Sequence, residues 1–139
     1  MDDIEAIKQL KARYFRGMDT KQWDLMREVF APDVHVDMEA EGGGIHTDRD
    51  AFMAMLVESI GDVTTVHHGH MPEITITSPT TASGTWAMED KLRWPEGAPI
   101  KAMHGYGHYH ETYEKGADGQ WRIKTLTLTR LRVDFEMPD

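Results

Sequence analysis

Apolar residues in the first part of the chain recur at steps of three and four. Ile4, Ile7, Leu10 and Tyr14, with Phe15 beside them, make the stripe of an amphipathic helix over residues 2–16, and Gly17 reads as its stop. Asp19-Thr20 ahead of Gln22 resembles a capping box, which predicts a second helix from Lys21 to Phe30 with Trp23, Met26 and Phe30 inward and Ala31-Pro32-Asp33 ending it. Val34, Val36 and Met38 then alternate with His35 and Asp37, giving a short strand that dissolves into Gly42-Gly43-Gly44. Asp48 or Asp50 can cap a third helix, with Phe52, Leu56, Val57 and Ile60 on its buried side and Gly61 behind it.

From Val66 onward the hydrophobic period shortens to two. Four long strands are predicted at Val66–Ser78, Thr81–Trp94, Ile100–Lys115 and Gln120–Asp134. Pro79-Thr80, Pro95-Glu96-Gly97-Ala98-Pro99 and Gly116-Ala117-Asp118-Gly119 separate them, all with hairpin turn chemistry. No repeat or linker divides the 139 residues, so a single domain is expected. Helices followed by an antiparallel meander predict an α+β fold: N-terminal helices packed on a strongly curved, mainly antiparallel sheet, a cone-shaped barrel with space for a pocket.

Composition narrows the function. A formal charge of −9 argues against a nucleic-acid surface. The mean hydropathy of −0.55 and the acidic N-terminus MDDIEAIKQL lead us to expect no membrane partner, no basic targeting signal and a cytoplasmic location. With no cysteine there is no disulfide, thiolate zinc site or cysteine nucleophile. Carboxylates, hydroxyls and eight histidines are left to carry chemistry.

Three of those histidines, His67, His68 and His70, stand in "TVHHGHMPEITIT". Strict alternation puts His68, His70, Ile74 and Ile76 on one face and His67 on the other, but Gly69 and Pro72 mark a possible bulge that would reset the facing. In "HGYGHYHETY", His104, Tyr106, His108 and His110 share one face and Tyr109 and Tyr113 the other. Three histidines on one face could bind zinc or iron, yet alternate strand residues lie about 6.5 to 7 Å apart, too far for easy ligation by neighbours. No metal and no cofactor is expected, and His104 and His108 are placed instead among the pocket-lining residues. Trp86 and Met88 alternate with Asp90 beyond, and could supply an apolar wall for a flat substrate or simply pack in the core.

The order of elements, with "RYFRGMDTKQWDLMREVFAPDV", "TDRDAF", "VHHG" and "YHETYEKGADGQWRI", resembles the nuclear transport factor 2-like superfamily in its SnoaL-like branch, which includes scytalone dehydratase, bile-acid 7α-dehydratase and hexachlorocyclohexane dehydrochlorinase. The resemblance implies a catalytic pair of an aspartate after the first helix, here Asp19, and a histidine where the long strands begin, here His67. It also implies a tyrosine five residues before the aspartate, which is Tyr14, and an arginine on the last strand, where Arg130 and Arg132 both stand. Read alone, Asp19 could equally be a helix cap and Tyr14 a core aromatic.

These residues lead to an expected activity: a cofactor-independent lyase or isomerase, dehydratase-like, drawing a proton from a small hydrophobic cyclic, aromatic or steroid-like substrate. Tyr14, with a histidine of the His104–His110 strand, would hydrogen-bond the oxygen that gains charge or leaves, and His104, His108, Trp86, Met88 and Arg130 are the expected substrate-binding residues. The alternatives are a hydrolase or cyclase in which Asp19 or Asp90 activates water, and a non-catalytic small-ligand-binding protein. Self-association as a dimer or trimer is also expected, because an open sheet has an outward face to cover and Thr125, Leu126, Thr127, Leu128 and Leu131 lie along the last strand.

Overall fold

In the computed structural model, which describes residues 1–139, the Ile7, Leu10 and Tyr14 stripe forms helix α1 (Asp3–Asp19). Asp2 caps it by accepting a hydrogen bond from the Glu5 backbone N–H, satisfying one of the helix's free donors. The helix does not stop at Gly17. A Cβ there would lie 3.1 Å from that of Met26, so Gly17 is the point of close approach between α1 and α2 (Trp23–Arg27). The second helix is shorter than expected, and Phe30 instead opens strand β1 (Phe30–Asp37), where Val34 and Val36 are fully buried. The capping box does not form: Gln22 caps α2 without a side-chain bond, and the Asp19 carboxylate turns elsewhere.

A turn of 3₁₀ helix (Glu39–Glu41) and the short strand β2 (Ile45–His46) lead to α3 (Arg49–Ile60), capped by Asp48, whose side chain accepts from the Asp50 and Ala51 backbone N–H groups. Phe52, Met53 and Leu56 form its buried face, while Val57, expected inside, is exposed. No helix is long and apolar enough to cross a membrane.

The long strands are β3 (Thr64–Ser78), β4 (Thr81–Arg93), β5 (Ala102–Lys115) and β6 (Trp121–Glu136), within a few residues of the expected bounds. They make a six-stranded sheet in the order β2-β1-β6-β5-β4-β3, antiparallel except where β1 runs parallel to β6. The sheet curls around the helices without closing, and its concave face, with α1 and α3, encloses one core containing Tyr14, Phe30, Phe52, Tyr109, Leu126 and Leu128. Leu126 and Leu128 therefore belong to the interior. Of the residues expected on the outer face of β6, Thr125 and Thr127 lie there, joined by exposed Leu131.

Two bulges decide which side chains enter the concavity. In β3 the register shifts between Gly69 and Pro72, so Thr65 and His67 point inward before it and Ile74 packs on the core after it. In β6 the shift opposite Tyr106 and Gly107 leaves Arg130 inside and Arg132 outside. Gly69 also lies under the Phe15 ring: a Cβ there would sit 2.6 Å from Phe15 Cε2. Gly69→Ala is expected to lower stability by about 1–3 kcal/mol through overpacking. Urea unfolding checks it, an unchanged midpoint showing that α1 and β3 can separate at no cost.

Candidate active site

The end of α1 meets the start of β3 through one carboxylate. Asp19 Oδ1 accepts from the Thr65 hydroxyl at 2.9 Å and lies 2.7 Å from His67 Nδ1, while Oδ2 accepts from the His67 backbone N–H at 2.8 Å. Three contacts to one strand fix the carboxylate, and Lys21 Nζ steadies Thr65 by donating to its hydroxyl at 3.1 Å. With Asp19 ionised, His67 Nδ1 carries the proton and donates, which leaves the Nε2 lone pair free. His67 is almost wholly buried, and it lines a cavity of about 220 Å³.

Beside His67, at its register partner on β4, stands a second carboxylate. Asp90 Oδ2 lies 3.8 Å from His67 Nε2, too far for a hydrogen bond but close enough to stabilise a positive imidazole. Asp90 is itself gripped in bidentate fashion by Arg130, with Nη1 to Oδ1 at 2.7 Å and Nη2 to Oδ2 at 2.9 Å. Arg130 also donates to Glu41 from the 3₁₀ turn. Burial opposes the guanidinium charge, but the hydrogen bonds to Asp90 and Glu41 outweigh it and hold the Arg130 pKa above its ordinary value.

Tyr14 and Tyr109 add two phenols to a wall that is otherwise mostly hydrophobic, ten of the other 16 lining residues being apolar. Burial pushes the Tyr14 phenol far above its usual range, partly offset by the neighbouring Tyr109 phenol, so Tyr14 stays a neutral donor at any working pH. Behind the two rings lies Lys11, with no solvent exposure. Its Nζ donates to Glu111 Oε2 at 2.7 Å and stands 3.6 Å from the centroid of each ring. Tyr113 donates to the other Glu111 oxygen at 2.7 Å, and Trp86 Nε1 donates to the Tyr113 hydroxyl at 2.9 Å.

The structure thus brings together Tyr14, Asp19, His67 and Arg130. It does not bring in His104 or His108, which sit on the convex face of the sheet with His68, His70 and His110; His104 there bonds Glu89 at 3.0 Å. The alternation that aligned these residues was right, but the pocket is on the other side. No group of three or more histidine, aspartate or glutamate side chains is placed to hold a metal ion. Trp86 and Met88 do face inward, yet they are core residues rather than lining ones; Met88 touches the site only through its sulfur, 3.6 Å from Arg130 Nη1. Arg132 is exposed and pairs with Asp134.

Sequence reasoning missed Glu41, Tyr109 and Thr65. Tyr109 was legible, since it alternates opposite His104 and His108 and the concave face takes the aromatic side of β5. Nothing local distinguishes Glu41 from its neighbour Glu39, because its partner Arg130 lies 89 positions away.

The chain is similar to known proteins over nearly its full length. It is 25% identical over 134 residues to "Probable cyclase FGR4" of Gibberella zeae, covering 90% of this chain and 89% of that protein. Kfla4162 of Kribbella flavida superposes with a TM-score of 0.85 at 25% identity, covering 95% of this chain and 93% of the other. The hexachlorocyclohexane dehydrochlorinase LinA-type3 of Novosphingobium barchaimii shares the fold, with a TM-score of 0.79 at 18% identity over 95% and 88% of the two chains. The SnoaL-like domain family matches residues 1–127, and with its helices cupped in a curled sheet around an apolar cavity, the chain belongs to that family.

Proposed function

We propose that the chain is a cofactor-independent lyase of dehydratase type, in which His67 moves the proton within an apolar cavity. The observation that carries this is the Asp19–His67 contact of 2.7 Å, which leaves Nε2 unpaired at the wall of that cavity. An imidazole held in this way can act first as base and then as acid.

In the reaction, Nε2 takes a proton from a carbon next to an electron-withdrawing group. The C–H electron pair becomes the new C=C bond as the C–O bond on the adjacent carbon breaks. The imidazolium, flanked by Asp19 and Asp90, then gives its proton to the departing oxygen, which leaves as water. No electrons are gained or lost, so no redox partner is required. Both Asp90 oxygens are held by Arg130. The role of Asp90 is to stabilise charge on His67, and Tyr14 donates to the oxygen that gains charge.

A cyclase reading is the alternative, supported by the cyclase name of the 25%-identical relative. Ring closure would use the same His67 base: the deprotonated carbon attacks a carbonyl carbon of the same molecule, the C=O π pair moves to oxygen, and the imidazolium returns its proton to that oxygen. Assaying a panel of neutral cyclic β-hydroxy ketones for new conjugated absorbance, with His67→Ala as matched control, tests the lyase reading. Absorbance that rises equally with both proteins would sink it. Ring-closed products of unchanged composition would move the assignment to a cyclase.

A further inference from the structure

We propose that Glu41 is a specificity-determining residue, which holds Arg130 away from anionic ligands and so restricts the cavity to uncharged ring compounds. The proposal uses the cavity assigned above but not its chemistry. Arg130 is the only arginine or lysine in the lining, and an unengaged guanidinium there would be a ready receptor for a carboxylate. It is not unengaged. Nη1 and Nη2 grip Asp90, and Nε with Nη2 turns to Glu41 Oε1.

Three carboxylates, Asp19, Asp90 and Glu41, thus surround one guanidinium and the His67 imidazole. An incoming anion would meet a net negative site without a free cation, and burying its charge there unpaired would be costly. A neutral alcohol or ketone meets no such opposition and finds the Tyr14 and Tyr109 phenols. The high pKa of Arg130 fits a guanidinium already satisfied by two carboxylates.

Of the three carboxylates, Glu41 is the one that tunes rather than builds the site. Asp19 is committed to His67, and the Asp90 side chain is 5% exposed on a central strand, whereas the Glu41 side chain is 24% exposed on a short 3₁₀ turn and has no partner but Arg130. Its removal leaves Asp90 paired. Glu39, two residues earlier on the same turn, is exposed and makes no ion pair, so it reports the effect of one surface charge alone.

The experiment is calorimetric titration of the purified protein with 2-naphthol and with 2-naphthoate at neutral pH, where the first is uncharged and the second an anion. The wild-type protein is expected to bind 2-naphthol at least about tenfold more tightly. Glu41→Gln and Glu41→Ala should each shift the ratio by roughly tenfold towards 2-naphthoate, and Glu39→Gln should leave it unchanged. Equal binding, or a preference for 2-naphthoate in the wild type, would overturn the proposal and make Arg130 an anion receptor with Glu41 a displaceable latch. An unchanged ratio in both Glu41 variants would overturn it too, as would failure of every variant to bind either probe. Since no turnover is read, loss of selectivity leaves the His67 reading standing, and His67→Ala that binds with wild-type selectivity but lacks a catalytic defect would fail the other reading alone.

Discussion

Replacing His67 by alanine is expected to lower kcat/KM by roughly 10²- to 10⁴-fold, with the fold retained, since a positioned general base contributes on that scale. The side chain that is lost sits at a cavity wall rather than in the packed core, so the thermal midpoint should move little. Asp19→Asn is expected to fall nearly as far by a different route. Its carbonyl oxygen can still accept from the His67 backbone N–H, but an amide facing Nδ1 favours the wrong tautomer and cannot stabilise imidazolium. His68→Ala and His70→Ala should stay near wild type, because both side chains lie on the convex face. Kinetics on one converted substrate for all four variants check this. Near-normal turnover by His67→Ala would remove the proposed base, and loss of turnover in His68→Ala would place the chemistry outside the cavity.

The largest effect on stability is expected from Lys11→Met. The substitution roughly preserves the side chain's volume but leaves the fully buried Glu111 carboxyl without its cation, a situation that costs about 3–5 kcal/mol. Adding Glu111→Gln should recover most of the loss, since the amide oxygen can still accept from Tyr113. Urea midpoints of the wild type, the single variant and the double variant decide it, and additive losses would show that the ion pair is not the cause. The same lysine has a pH signature. Burial lowers its pKa to about 8, against the pull of Glu111, from an ordinary value of 10.5. Between those two values the unfolded chain holds a proton that the folded chain has released, so this group makes stability rise with pH across that window. The rise should be present in the wild type and absent from the double variant.

Periodicity alone determined the kinds of element and their order. The Ile7, Leu10, Tyr14 stripe, the alternation of the four long strands and the turn residues between them depend only on near neighbours, and all appear in the folded chain. Helix ends were less legible. Gly17 is helical because Met26 needs the room, and Phe30 joins a strand because β6 pairs with it, both of them contacts from outside the local window.

The candidate site divides the same way. Residue types and the family resemblance point to Tyr14, Asp19 and His67, yet alternation cannot say which of His67, His68 and His70 faces inward. Only the partner strand defines a register, and hence the shift between Gly69 and Pro72 that puts His67 beside Asp19 while Ile74 still packs on the core. A second shift chose Arg130 over Arg132, and the curl of the sheet sent His104 and His108 to the convex side. Asp90, Arg130 and Glu41 are each ordinary charged residues in their own segments. They become a site because chain closure brings positions 40 and 89 residues apart within hydrogen-bond reach, in a setting buried enough that each charge must find its partner.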